Sequence, residues 1–294
     1  MKISVLIATR NRPQLLAECV SSLLRNTRQP EEIVLIDQSD PSSPLGGIPH
    51  FHSQRTKLRY EKMPPLGKSA AVNRALQISC GDFLAFADDD VQADETWLER
   101  FEALATQYPE VAMFCGRVLP EKNTSPDGYL NLALRREQKY IDCAAGPLNM
   151  DFCGCNMFIR RESILEVGGF CEYFGPGGRF RSAEDGELAY RLSRGGASIL
   201  YSPEPVVYHS GWRREKDNER LKLDYAFGLG AFAGYYLKKG DRKPLLNFLT
   251  KFLLKFRRLI LGALLWRKER VLDGYLHLKG FSLGFIRGSF APKS

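Results

Sequence analysis

The fold class is indicated first by Phe83-Leu84-Ala85-Phe86-Ala87-Asp88-Asp89-Asp90, a short apolar run that ends in three carboxylates. An uninterrupted apolar run of this length is typical of a parallel strand that is buried on both faces. Adjacent carboxylates repel one another unless a cation neutralises them, and Mg²⁺ and Mn²⁺ prefer oxygen ligands. Elsewhere, a solvated loop or the start of a helix would explain such a triplet better. Directly after a buried strand, the triplet predicts a divalent-metal site that also binds a diphosphate.

Apolar runs and amphipathic stretches alternate through the first hundred residues. The predicted elements are, in order, strand Ile3–Ala8, helix 13–27, strand Ile33–Ile36, a further candidate strand Lys57–Glu61, helix Ala70–Ser79 and strand Phe83–Ala87. This alternation predicts an α/β fold whose doubly wound, mostly parallel sheet carries helices on both faces.

Polar side chains follow three of these strands at the point where each strand ends. They are Thr9-Arg10, Asp37-Gln38 and Asp88-Asp89-Asp90. Ligands of open α/β sheets bind beyond the carboxyl ends of the strands, so we expect these side chains to converge on one site. For Asp37, two interpretations stay open. It accepts a hydrogen bond from a nucleoside, or it belongs to a turn in Asp-Gln-Ser-Asp-Pro.

Leu66-Gly67-Lys68-Ser69 has the end of a P-loop but not its beginning. The upstream glycine of that motif is absent because residue 62 is lysine, and the sequence therefore excludes a Walker A site. Lys68 is still expected to meet a phosphate near the start of the next helix.

Residues 110–210 predict a mixed α+β arrangement of short strands between Gly- and Pro-rich loops. The strand candidates are Ala112–Val118, Met157–Arg160, Ser198–Tyr201 and Val206–Tyr208. Ser182–Glu187 precedes a helical stripe, and a carboxylate there could deprotonate a hydroxyl group. The same segment fits an N-terminal capping pattern with Ser182 as the cap, and both interpretations can hold together. His209 follows a strand and is either a metal ligand or a structural histidine.

The net charge of +8 is concentrated near the C-terminus. Between Lys238 and Arg270 there are eleven Lys or Arg residues and two acidic ones, interleaved with bulky apolar side chains. This region predicts either a pair of core helices or an in-plane helix at an anionic membrane surface, and the cationic excess favours the membrane. The sequence contains no run of 18 uncharged apolar residues, so it predicts no membrane-spanning helix. Nucleic acid is not expected as a partner, because bulky aliphatic residues separate the charges.

Several motifs resemble those of family 2 glycosyltransferases with the GT-A fold. The N-terminal ones are Ser4–Arg12, Ile36–Ser39 and Phe86–Asp90; Cys153–Arg161 and Gly168-Gly169-Phe170 are similar to the acceptor-side segment of the family, and Glu184-Asp185 to its ED motif. The resemblance implies a catalytic domain over residues 1–212, with a nucleotide-sugar-binding half (1–110) and an acceptor-binding half (111–212). Residues 213–294 would form a C-terminal helical, basic and amphipathic extension.

The resemblance also implies a role for individual residues. The nucleotide sugar would contact Thr9, Arg10, Asp37, Lys68, Asp88 and Asp89; Mn²⁺ or Mg²⁺ would be held by Asp90 and His209; Asp185 would be the catalytic base; and Glu184, Asn156 and Trp212 would lie on the acceptor side. At Gln38 the sequence departs from the family pattern, where many members carry Asp or Asn. The identity of the nucleobase therefore stays open.

The implied activity is the inverting transfer of a sugar from a nucleotide diphosphate to a hydroxyl group of a glycan or lipid-linked acceptor, in polysaccharide or cell-envelope glycan synthesis. The expected location is the cytoplasm, at the inner face of the cell membrane. One alternative is a nucleotidyltransferase acting on sugar phosphates, although Ala8–Arg12 lacks the glycines of a triphosphate loop. Others are a basic nucleic-acid- or membrane-binding protein without catalysis, and an inactive sugar-binding relative.

Overall fold

The structure is a computed structural model that describes residues 1–42, 55–121, 132–144, 146, 152–210 and 215–292, with only the backbone of 215–217. Its strands are β1 (Ile3–Thr9), β2 (Glu32–Asp37), β3 (Lys57–Lys62), β4 (Phe83–Phe86), β5 (Val91–Ala93), β6 (Val111–Pro120), β7 (Lys139–Tyr140), β8 (Met157–Arg160) and β9 (Ser198–His209). Its helices are α1 (Pro13–Leu24), α2 (Lys68–Ile78), α3 (Trp97–Gln107), α4 (Arg161–Glu166), α5 (Glu184–Arg194), α6 (Glu215–Lys238), α7 (Lys243–Leu264) and α8 (Lys268–Ser289).

The central sheet has the strand order β3-β2-β1-β4-β8-β6-β9-β5, and β7 pairs with β9. The strands β3, β2, β1 and β4 run parallel to one another, which confirms the α/β arrangement predicted for the first hundred residues. The register sets Thr9 opposite Asp37, so the polar residues at these two strand ends lie side by side. The site is therefore positioned by the carboxyl edge of the parallel half of the sheet.

Helices cover both faces of the sheet, as the sequence predicted. Successive side chains of a strand point to opposite faces, so Phe83 and Phe86 of β4 mark different faces. Phe83 stacks on Phe158 with ring centroids 4.8 Å apart, and Phe158 stacks on Phe101 of α3 at 5.1 Å. On the other face, Phe86 and Val72 of α2 line the same small cavity. The strand that precedes the three carboxylates is thus buried from both sides.

The second half of the sheet mixes directions. Strand β8 runs antiparallel between β4 and β6, whereas β6 and β9 pair in parallel. The prediction of two separate strands at Ser198–Tyr201 and Val206–Tyr208 was wrong, because both belong to the continuous strand β9. A register shift between Cys115 and Arg117 of β6 accommodates the intervening proline-containing segment, and sequence patterns do not report such bulges.

The C-terminal helices pack closely along glycines. A Cβ on Gly284 of α8 would lie 2.0 Å from the carbonyl oxygen of Phe227 in α6, and one on Gly288 would lie 2.2 Å from that of Ala231. From the first contact to the second, the position advances by four residues in both helices. Helices α6 and α8 therefore run parallel with their backbones touching. Helix α6 also joins the preceding residues through an aromatic cluster that includes Phe174, Phe180, Tyr190, Phe227, Phe232, Tyr235 and Tyr236.

We expect Gly284→Ala to destabilise the protein. Alanine raises helix propensity by about 1 kcal/mol, but its methyl group would overlap a backbone carbonyl, and such overpacking costs about 3 kcal/mol. Denaturant unfolding should therefore show a net loss of about 2 kcal/mol in the free energy of unfolding. Ser282→Ala, at an exposed position of the same helix, is the control. Equal stability of Gly284→Ala and Ser282→Ala would contradict the packing described for α6 and α8.

Candidate active site

A cleft of about 730 Å³ opens at the carboxyl ends of the parallel strands. Nine of the residues predicted for the site line this cleft, namely Thr9, Arg10, Lys68, Asp88, Asp89, Asp90, Glu184, Asp185 and His209. They come from strand ends, from the starts of α2 and α5, and from the end of β9. The structure therefore brings together residues that are up to 200 positions apart in the sequence.

The first acid of the triplet, Asp88, is paired with Lys68. The Lys68 Nζ lies 2.6 Å from Asp88 Oδ1 and 3.7 Å from Glu184 Oε1. Burial works against ionisation of Asp88, but the Lys68 ammonium outweighs it and lowers the pKa of this carboxyl group. Lys68 thus ties the end of β4 to the start of α5 and keeps one anion of the triplet charged.

The other two acids share Arg12, which directly precedes α1. Its Nη1 lies 3.0 Å from Asp89 Oδ1 and 3.0 Å from Asp90 Oδ2. Thr9 Oγ1 donates a further hydrogen bond to Asp89 Oδ2 at 2.7 Å. Burial raises the pKa of Asp89 to about 6, with Arg12 opposing the shift and Asp90 adding to it. A guanidinium thus compensates much of the repulsion that the sequence implied.

One oxygen of Asp90 is buried without a hydrogen-bond partner in the described part of the chain. Its Oδ1 is buried, makes no hydrogen bond with any part of the chain that the structure describes, and faces His209 Nε2 at 3.8 Å. The pairing of β5 with β9 sets Val91 opposite His209 and so holds the two side chains together. Among the described residues, no three His, Cys, Asp or Glu side chains form a ready metal site. A carboxylate and an imidazole fit Mn²⁺ or Mg²⁺ when substrate phosphates and water supply the other ligands.

A second acidic group lies at the start of α5. Asp185 Oδ2 accepts a hydrogen bond from the backbone N–H of Gly154 at 3.0 Å. A Cβ on Gly154 would lie only 2.1 Å from the Asp185 carboxyl group, so residue 154 can only be glycine here. Burial raises the pKa of both Asp185 and Glu184, with Lys68 opposing the shift in each case. Burial thus favours the protonated form of both carboxyl groups, and the Lys68 ammonium favours the ionised form.

The predicted cap of this helix was wrong. The residue before α5 is Ala183, and it makes no side-chain capping hydrogen bond. The hydroxyl of Ser182 instead donates to the backbone carbonyl of Asp224 in α6 at 2.9 Å. A partner 42 residues away therefore outcompetes the local capping interaction.

Three predicted site residues are not among those that line the cleft in the described part of the chain. Asp37 is buried and accepts hydrogen bonds from the Ser39 backbone N–H at 2.7 Å and the Tyr60 hydroxyl at 2.8 Å, the turn arrangement left open above. The structure does not bring Asn156 to the cleft. Its amide is fully buried, accepts from Trp97 Nε1 at 2.8 Å, and donates to backbone carbonyls of β6 and β9. Trp212 lies outside the described residues.

Several residues of the cleft were assigned no role from the sequence. Arg12 had a signal, because it follows β1 at the same edge as the carboxylates. Gly154 lay within a quoted motif but carries no side chain to suggest chemistry. Tyr225 and Leu229 line the cleft from α6, and only the tertiary fold brings this helix to the site.

Comparisons with known proteins agree with the geometry. Residues 4–168 match the family model described as Glycosyl transferase family 2. The chain is 31% identical over 282 residues to an uncharacterized glycosyltransferase of Haemophilus influenzae, covering 88% of this chain and 100% of that protein. It is 25% identical over 258 residues to the O-antigen biosynthesis protein RfbC of Myxococcus xanthus. That match covers 82% of this chain but only 20% of RfbC.

A solved structure shares the fold. The mannosyltransferase PcManGT from Pyrobaculum calidifontis, in complex with GDP-Man and Mn²⁺, superposes with a TM-score of 0.62. The alignment covers 98% of this chain and 87% of PcManGT, with 16% sequence identity. At this identity, the likeness concerns the fold alone.

The raised pKa of Glu184 has a consequence for stability. Unfolding releases this carboxyl group from burial and restores its ordinary pKa. Wild-type stability should therefore fall as the pH rises from the ordinary pKa through the raised one. We expect Glu184→Gln to lack this loss, so that its stability relative to wild type improves by at least about 1 kcal/mol between about pH 5 and about pH 8.5. Metal-free denaturant unfolding measures this difference, with the exposed Glu166→Gln as a control for charge removal. A difference that stays constant with pH would contradict the assignment.

Proposed function

The chain belongs to glycosyl transferase family 2, and on that premise we propose that it moves a sugar from a nucleotide diphosphate to a hydroxyl group of a glycan or glycolipid. The observation that carries the proposal is one cleft that brings together two sets of acids, Asp88–Asp90 and Glu184-Asp185, with the Lys68 ammonium between Asp88 and Glu184. A nucleotidyltransferase or a nucleic-acid-binding protein gains no support from this family. Similarity to the O-antigen biosynthesis protein RfbC supports a role in cell-envelope glycan synthesis, although the chain spans only a fifth of that relative.

The nucleotide sugar is proposed to lie along the ends of β1, β2 and β4, where Thr9, Arg10, Lys68, Asp88 and Asp89 line the cleft and would surround it. Asp37 would act on the nucleoside only if its buried turn opened, since Ser39 and Tyr60 bind both of its carboxylate oxygens. Asp90 and His209 would hold Mn²⁺ or Mg²⁺ together with diphosphate oxygens. Bound there, the metal would neutralise charge on the departing nucleoside diphosphate. Arg12 holds Asp90 Oδ2 and leaves Oδ1 towards His209, so one carboxylate oxygen is available without breaking the ion pair.

Asp185 is proposed as the base. Its carboxylate would take the proton of the acceptor hydroxyl while the hydroxyl oxygen bonds to the anomeric carbon and the bond to the diphosphate breaks. This single displacement inverts the anomeric configuration. The start of α5 and the Gly154 N–H stabilise the ionised carboxylate, and burial raises its pKa towards the value that a base needs. Glu184 and Trp212 would lie towards the acceptor, whereas the contacts of Asn156 support a structural role for that residue.

The reaction is tested with UDP-, GDP- and dTDP-sugars, by Mn²⁺-dependent hydrolysis and by thermal stabilisation. We expect Asp90→Asn to lose the Mn²⁺-dependent part of both signals. Asp185→Asn should keep donor-induced stabilisation while turnover falls roughly 10²-fold or more, because only the base is removed. Asp82→Asn is the matched control, since Asp82 precedes β4 at the opposite edge of the sheet. No response to any donor, or an Asp90→Asn protein that behaves as wild type, would refute the proposal.

We further propose that residues 213–294 form an extension to the catalytic domain of residues 1–212, and that this extension binds an anionic membrane at the inner face of the cell membrane. An exposed apolar stripe on α7 supports this, because its residues recur every three or four positions: Leu246, Leu249, Leu253, Phe256, Ile260 and Leu264. Trp266, just beyond the helix, is 93% exposed. Among the described helices, none is both long enough and apolar enough to cross a bilayer. The stripe fits a helix that lies in the plane of the interface.

The charge of α7 favours lipid over a second copy of the chain as the partner. The helix carries five Lys or Arg residues, Lys243, Lys251, Lys255, Arg257 and Arg258, and no acidic residue. In a symmetric dimer through this face, the second copy of α7 would bring no acidic residue to these cations. Lys255 and Arg258 already pair with Asp273 of α8, so an anionic lipid surface would chiefly attract the other three, at about 1 kcal/mol for each basic residue near the surface.

We expect the protein to float with vesicles that contain phosphatidylglycerol at low salt, and less with phosphatidylcholine alone. The triple variant Leu249→Ser/Leu253→Ser/Phe256→Ser should bind at least tenfold more weakly, because burying each such side chain contributes about 1.5–3 kcal/mol. The control Leu134→Ser/Leu165→Ser alters exposed apolar residues elsewhere and should bind as wild type. Absence of binding to anionic vesicles at low salt, or wild-type binding by the triple variant, would exclude this surface.

A further inference from the structure

Helix α6 crosses the turn of residues 181–183, which directly precedes the helix that carries the proposed base. The crossing point is Gly228, where an added Cβ would lie 2.1 Å from Ser182 Oγ and 2.8 Å from the Ser182 backbone oxygen. Only glycine allows the helix backbone to approach the turn so closely. Ser182 is three residues before Asp185, so α6 touches the chain immediately ahead of the base.

Polar contacts fix this crossing. The hydroxyl of Ser182 donates to the backbone carbonyl of Asp224 at 2.9 Å, and Arg181 Nη1 donates to the Asp224 carboxylate at 2.8 Å. The Arg181 guanidinium also lies over the ring of Phe227, 4.5 Å from its centroid. Two consecutive residues of the turn are therefore bound to one face of α6.

The backbone of the turn needs this support. Arg181 and Ala183 have φ values of 66° and 73°, in the left-handed region that residues with a Cβ seldom adopt. Such conformations persist where the surrounding structure holds them. The strained segment leads directly into Glu184 and Asp185, so a relaxation of the turn would move the base.

The same helix reaches the cleft. Tyr225 and Leu229 are one turn apart on α6, flank Gly228, and line the cleft together with Asp185. The contact between α6 and the turn is therefore part of the site itself rather than a remote packing contact.

We infer that Asp224 and Gly228 are positioning residues for the reaction. They hold the turn of residues 181–183 in its left-handed conformation, which keeps the Asp185 carboxylate against the Gly154 N–H. The inference rests on the proposed role of Asp185 as the base. It makes helix α6 a part of the transferase site as well as of the C-terminal extension.

The test compares Gly228→Ala with Gly234→Ala. Both substitutions add a methyl group to α6 where it meets backbone, but Gly234 faces α8, with a Cβ position 2.2 Å from the Phe285 carbonyl oxygen. The donor is whichever of UDP-glucose, UDP-N-acetylglucosamine and GDP-mannose the wild type hydrolyses fastest. For Gly228→Ala we expect kcat to fall about tenfold or more with an unchanged donor KM, because small displacements of a reacting group have effects of this size. Gly234→Ala should lose a similar amount of thermal stability and keep the wild-type kcat.

Ser182→Ala is a second test of the inference, which applies even if Gly228→Ala does not fold. It removes the hydrogen bond to Asp224 without adding atoms, and we expect a several-fold lower kcat at an unchanged donor KM. Equal kcat in wild type, Gly228→Ala and Ser182→Ala would overturn the inference, as would equal losses of kcat in Gly228→Ala and Gly234→Ala. Asp185→Asn distinguishes a failure of the proposed base from a failure of the proposed positioning role. If Asp185→Asn hydrolyses donor as wild type, the proposed base is wrong; if it is inactive while Gly228→Ala and Ser182→Ala are fully active, only the positioning role is wrong.

Discussion

Electrostatic repulsion within Asp88-Asp89-Asp90 is the constraint on which the site depends. The triplet ends a strand that is buried on both faces, so water cannot screen the three charges fully. Lys68 at the start of α2 compensates the first acid, and Arg12 ahead of α1 compensates the other two. Each cation sits at a helix start that the parallel strands direct to the same edge. The topology therefore supplies the charges that make the triplet tolerable.

Charge compensation is incomplete at one atom of the triplet, and this atom is the proposed metal ligand. The buried Oδ1 of Asp90 points towards His209 without a hydrogen bond in the described part of the chain. A buried carboxylate oxygen without a donor is unfavourable unless a ligand completes its surroundings. In the same cleft, the Asp185 carboxylate accepts a hydrogen bond from the Gly154 N–H at the start of α5. The proposed metal ligands thus lie after β4 and at the end of β9, and the proposed base lies at the start of α5.

Much of this arrangement could be predicted from the sequence. Buried strands show as apolar runs, and side chains at their carboxyl ends share one edge, which is why Asp90 and His209 were predicted for the site. Asp185 lies at the start of a helix, and its proposed role came from the resemblance. The failures have physical causes. The bulge in β9 has no periodic signature in the sequence. The Ser182 hydroxyl binds the distant backbone carbonyl of Asp224 instead of capping α5. Asn156 belongs to a familiar motif, yet its amide satisfies buried groups of the sheet.

The role of Asp90 is tested most directly by anomalous diffraction from crystals of the protein soaked with Mn²⁺ and UDP. We expect a manganese peak in contact with Asp90 Oδ1 and His209 Nε2, with diphosphate oxygens completing its coordination and Arg12 still close to Asp89. A manganese ion bound elsewhere in the cleft, or UDP bound with no manganese beside Asp90, would contradict it.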